Sequence, residues 1–70
     1  MNFEWVDGFT VAVKVEDNSV VITANKEGLL SLANHLTSLA NEDAPTSHLH
    51  LDQYNSLEDG STELIIEKTI

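Results

Sequence analysis

The chain has 70 residues, twelve acidic side chains against three lysines, no arginine and no cysteine, for a formal net charge of −9. One domain spanning residues 1–70 is the most that this length allows, and such a domain buries only about 60% of its unfolded surface. Disulfides are excluded, and so large an acidic excess disfavours nucleic acid and anionic membrane surfaces as partners.

Phe3 to Val6 can pair as an edge strand, and Asp7-Gly8 suits either a hairpin turn or a bulge in one long strand. Phe9, Val11, Val13 and Val15 alternate with Thr10, Ala12, Lys14 and Glu16, the pattern of a half-buried strand. Asp17-Asn18 supplies turn chemistry, and Val20 to Thr23 is the returning strand. Asn25 is a helix N-cap, since its side-chain oxygen can accept from the free amides of the first turn. The helix then sorts into two stripes. Leu29, Leu32, Ala33, Leu36, Leu39 and Ala40 form the expected buried side, and Ser31, Asn34, His35, Ser38 and Glu42 the expected wet side. Gly28 costs the first turn up to ~1 kcal/mol relative to alanine, which points to close packing there. Asn41 can close the helix and Pro45 forbids its continuation.

Beyond the helix, Ser47 to Asp52 reads as a strand with Leu49 and Leu51 on one side and His48, His50 and Asp52 on the other. A polar link follows, and Thr62 to Lys68 is a second strand with Leu64 and Ile66 on one face. The order strand, strand, helix, strand, strand predicts an α+β fold, a four-stranded antiparallel sheet with one helix across one face. The uncovered face would carry Ala12, Val21, Ile65 and both strand histidines. In so small a chain such a face predicts a homodimer, formed through it or through edge-strand pairing. No apolar run approaches the ~20 residues of a membrane span. The N-terminus lacks the basic and apolar regions of a signal peptide, so the expected location is cytoplasmic.

Chemistry-bearing residues are few. His48, His50 and Asp52 place three potential metal ligands on one side of a strand, with Glu63 or Glu67 able to add a fourth in a suitable register. Any polar strand face alternates in the same way, so a polar or partner-facing surface is the favoured reading and no metal is expected. Glu58-Asp59 before Gly60 reads as a turn, and Ser47, His48 and Ser56 have no nucleophile–base–orienter spacing. No catalytic residue and no cofactor is implied. Trp5, Phe9 and Tyr54 are core residues or interface anchors.

Two stretches carry a resemblance. Asn25-Lys26-Glu27-Gly28-Leu29-Leu30-Ser31-Leu32-Ala33, then His48-Leu49-His50-Leu51-Asp52 with Leu57-Glu58-Asp59-Gly60-Ser61-Thr62-Glu63-Leu64-Ile65-Ile66, resemble the immunity protein 32 family. These are small α+β proteins of bacterial polymorphic toxin systems. The resemblance runs from Asn25 to Lys68, and Met1 to Ala24 agree only as generic strands. It implies a non-enzymatic protein that binds and neutralises a cognate toxin. The matched polar positions His48, His50, Asp52, Glu58 and Glu63 become the expected partner contacts, joined by Tyr54 as an aromatic anchor in the link beside them. The acidic charge suits a basic target such as a nuclease. A homodimeric structural or regulatory module, and a metal-binding domain using His48, His50 and Asp52, are the alternatives.

Overall fold

The computed structural model describes residues 4–43 and 47–69. Phe3 and Pro45, to which the sequence assigned a strand and a helix stop, lie outside them. The element order is β1 (Val11–Glu16), β2 (Ser19–Ala24), α1 (Lys26–Ala40), β3 (His48–Leu51) and β4 (Leu64–Glu67).

The first hairpin forms as the alternation predicts. Asp17 and Asn18 take φ of 48° and 67°, the paired left-handed geometry that matches strand twist in a two-residue turn. Glu16 then pairs with Ser19, and the register runs back through Val13 opposite Ile22 to Val11 opposite Ala24. Ahead of β1, residues 4–6 are irregular rather than a strand. Gly8, at φ 84°, completes a turn in which the Phe9 N–H donates to the Val6 carbonyl at 3.1 Å.

Asn25 joins three segments. Its side-chain oxygen accepts from the N–H of Gly28 at 2.7 Å and of Thr10 at 3.0 Å, while its amide donates to the Gly8 carbonyl at 2.9 Å. At the far end Asn41 donates to the Thr37 carbonyl at 3.1 Å with φ −90°, a right-handed cap. Lys68 Nζ donates to the carbonyls of Ala40 and Glu42, placing a cation where the helix dipole is negative.

The orientation of α1 departs from the sequence expectation in part: Leu39 and, half-buried, Leu32 lie inside as expected, but Ser31 and His35 join them. Gly28, Ser31, His35 and Leu39, spaced by three or four residues, are the buried line, with His35 only 1% exposed. Leu29 is 57% exposed, and Leu30 and Leu36 are also on the outside. Two contacts decide this. A Cβ at Gly28 would lie 2.3 Å from the Thr10 carbonyl oxygen, so this turn sits directly on the backbone that leads into β1. Residues 4–9 then run along the same line. The Val6 N–H donates to Ser31 Oγ at 2.8 Å, Ser31 Oγ donates to the Glu27 carbonyl at 2.8 Å, and the Trp5 ring meets His35 edge-on at 4.1 Å. Those partners let Ser31 and His35 lie inside.

The expected four-stranded sheet is also corrected. There are two separate two-stranded sheets, β1–β2 and β3–β4. The link occupies the edge of β1 that β4 would have needed. Glu58 and Thr62 donate their N–H to the carbonyls of Val11 and Val13 at 2.9 and 2.7 Å, and Val13 N–H donates to Ser61 Oγ. Val11, Val13, Leu51 and Leu57 form the central cluster, with Trp5, Phe9, Ala24, Leu32 and Leu64 packed around it. The uncovered face assembled from Ala12, Val21, Ile65 and the histidines therefore does not exist as one surface.

Gly28→Ala tests this orientation. Intrinsic propensity alone would raise stability by up to ~1 kcal/mol. The close approach to Thr10 predicts the opposite, a loss of about 1–3 kcal/mol from overpacking. A lowered urea midpoint with an unchanged slope is the expected readout.

Candidate functional site

The second hairpin builds the site. β3 and β4 pair with His48 opposite Glu67, Leu49 opposite Ile66, His50 opposite Ile65 and Leu51 opposite Leu64. Opposed residues share a face, so Leu49 and Leu51 turn inward while His48, His50, Ile65 and Glu67 turn to solvent. His48 and His50 meet edge-on at 5.6 Å. Glu63, just before β4, reaches diagonally to place a carboxylate oxygen 3.2 Å from His50 Nδ1. His48, His50 and Glu63 are thus brought together by the observed register, which chooses Glu63 over Glu67 as the neighbour of His50.

Asp52 does not join them. Its carboxylate accepts from the N–H of Tyr54 at 2.9 Å and of Asn55 at 3.1 Å, and its carbonyl accepts from Leu57 N–H. Asn55 Oδ1 accepts from Asp52 N–H, and its side-chain amide donates to the His50 carbonyl. The acid is spent on shaping the link. Among the described residues no three His, Asp or Glu side chains converge to hold a metal ion, which corrects the His48, His50 and Asp52 ligand set.

The compact link that Asp52 organises projects Tyr54, 89% exposed, and carries Glu58 and Asp59 on its surface. Leu57 anchors it in the core, and Gly60, at φ 82°, donates to Gln53 Oε1 at 2.9 Å. An exposed tyrosine on a braced loop can offer contact area with little ordering cost, the usual property of an interface anchor.

A cleft of about 280 Å³ lies beside β3, lined by Trp5, His35, Leu49, His50, Leu51, Asn55 and Ser56. Sequence reasoning missed it because it rests on the buried polar stripe of α1. The signal available was the line of Gly28, Ser31 and His35, which share one helix face that turns inward if the glycine packs inward. Burial holds His35 below its ordinary pKa of 6.5, since a desolvated imidazole resists protonation. The site offers neutral and anionic surface, an exposed aromatic ring and a shallow cleft. These features suit recognition of a partner surface.

The model of the family described as Immunity protein 32 matches residues 19–69. This extends beyond the stretch quoted from sequence to include β2, and it covers the whole of the site apart from Trp5. No curated protein and no solved structure matches the chain.

The lowered pKa of His35 has a definite sign. Between that value and about 6.5 the unfolded chain binds more protons than the folded one, so stability falls as pH drops through this window. Thermal melts from about pH 7 to about pH 5 should show a falling midpoint. His35→Phe, which keeps a ring beside Trp5 without the titration, should flatten that fall. Parallel slopes in the two proteins would remove His35 as the cause.

Proposed function

The chain belongs to the immunity protein 32 family, and on that premise we propose that it binds a bacterial toxin and blocks it without catalysis. The observation that carries this reading is the match over residues 19–69, which includes all of the second hairpin and its link. The proposed contacts are His48, His50, Tyr54, Glu58 and Glu63, with Asp52 holding the link that presents Tyr54. The proposed target is basic, a nuclease of a polymorphic toxin system being one such protein. A net charge of −9 would raise its association rate, while desolvated groups at the contact would set the lifetime of the complex. No helix among the described residues is long and apolar enough to cross a membrane. The proposed place of action is the cytoplasm.

The chemistry separates the two kinetic roles. Reversing charge at Glu58 and Glu63 together should slow association several-fold and weaken its salt dependence. Tyr54→Ala should instead speed dissociation, by about tenfold for an anchor contributing ~1.4 kcal/mol, with the circular dichroism unchanged. The test is co-expression with the toxin candidate encoded beside this gene, scored by cell survival and by surface-binding kinetics. Absence of both protection and binding refutes the immunity reading. Binding that ignores all three substitutions refutes only the proposed contacts.

A further inference from the structure

The cleft beside β3 gathers residues distant in sequence. Trp5 comes from the N-terminal segment, His35 from α1, Leu49, His50 and Leu51 from β3, and Asn55 and Ser56 from the link. Its volume, about 280 Å³, falls just below the ~300 Å³ at which pockets for small molecules begin. One protein side chain suits such a space better than a metabolite does. The cleft also shares His50 with the proposed toxin contacts, so a partner on that surface reaches it.

The lining selects among side chains by elimination. Trp5, Leu49 and Leu51 give an apolar wall, whereas His35, His50, Asn55 and Ser56 bring polar groups. A purely apolar occupant would strip water from those groups and offer them no hydrogen bond. An acidic occupant would meet a chain of net charge −9, with a Glu63 oxygen 3.2 Å from Nδ1 of His50. No lysine lines the cleft. Lys14 lies on β1, Lys26 opens α1, and Lys68 bonds carbonyls at its far end. Burial also lowers the pKa of His35, which disfavours a positive charge in the cleft wall.

What remains is a cation on an apolar stem, and the rings in the wall favour arginine over lysine. A guanidinium is planar, weakly hydrated and able to lie against aromatic faces, and it carries five donors. An ammonium is a compact, strongly hydrated charge that resists leaving water.

We propose that the cleft receives an arginine side chain presented by the toxin. Its stem lies against Trp5, Leu49 and Leu51, and its guanidinium faces His50 and Glu63. The identity of the partner rests on the immunity reading, whereas the chemistry of the occupant rests on the cleft alone. The acidic charge then has a local role, holding one residue as well as speeding encounter.

Trp5 is the chain's only tryptophan, so its fluorescence reports occupation of the cleft. The probe is N-acetyl-arginine amide titrated into the full chain, beside its lysine and citrulline counterparts. Citrulline keeps the shape of arginine without the charge. A saturable change with arginine is expected, in the millimolar range because a lone side chain brings few atoms. Lysine should bind several-fold more weakly, and citrulline should not saturate. Glu63→Gln should weaken arginine binding about two- to fivefold, the effect of one half-exposed charge. Ser56→Leu, which fills the cleft from the link, should abolish binding with the circular dichroism unchanged. Failure of arginine to saturate overturns the proposal, and so does an equal affinity for lysine or citrulline. Binding that persists in Ser56→Leu places the probe elsewhere and overturns it too. Should Ser56→Leu unfold, Glu63→Gln decides, and unchanged affinity there overturns the proposal. These titrations contain no toxin, so their failure and that of the immunity reading are separate results.

Discussion

The closeness of Gly28 to the Thr10 carbonyl sets the arrangement of the molecule. Helix α1 can rest on the backbone at Thr10 only where there is no Cβ, and the helical repeat then makes Ser31, His35 and Leu39 the inner line. Asn25 holds the same junction in register, with its side chain bonded to Gly8, Thr10 and Gly28. The buried hydroxyl and imidazole are accommodated because the segment from Glu4 to Phe9 supplies a backbone donor and an aromatic ring. The stacked rings of Trp5 and Phe9, 4.3 Å apart, hold that segment against the helix.

A second constraint follows on the other side of β1. The link from Asp52 to Glu63 takes up the free edge of β1, so the two hairpins remain separate sheets. This leaves β2 as an open edge and frees the outer face of β3 and β4 to carry the histidines and Glu63. The proposed contact surface and the open edge of β2 are thus built on different hairpins.

Much of this was legible in local pattern. Alternation found β1, β2 and β3, Asp17-Asn18 gave the turn between β1 and β2, and Asn25 gave the helix start. The shared face of His48 and His50 followed from period-two geometry, whereas the choice of Glu63 over Glu67 beside His50 needed the pairing register. What was illegible depended on contacts distant in sequence. Leucine spacing on α1 argued for one inner face, whereas a single glycine and an irregular N-terminal segment drew Ser31 and His35 inside as well. Asp52 alternated with the histidines as a ligand would, yet the link's own amides claimed its carboxylate. Nothing in the composition of Glu58 to Thr62 indicated that its backbone would bond to β1 and divide the sheet.

The bonds between β1 and the link also order the entropic cost of folding. The first hairpin, the Asn25 junction and the second hairpin each close short stretches of chain, whereas Val13 and Ser61 are 48 residues apart. Loop closure grows more costly with separation, so the long-range contact gains most once both ends are already shaped. Residues 4–43 contain their own helix, hairpin and junction, and Leu57 and Ser61 come from a link already braced by Asp52 and Gln53. The molecule thus reads as two locally encoded parts, with the edge of β1 as a long-range seam between them.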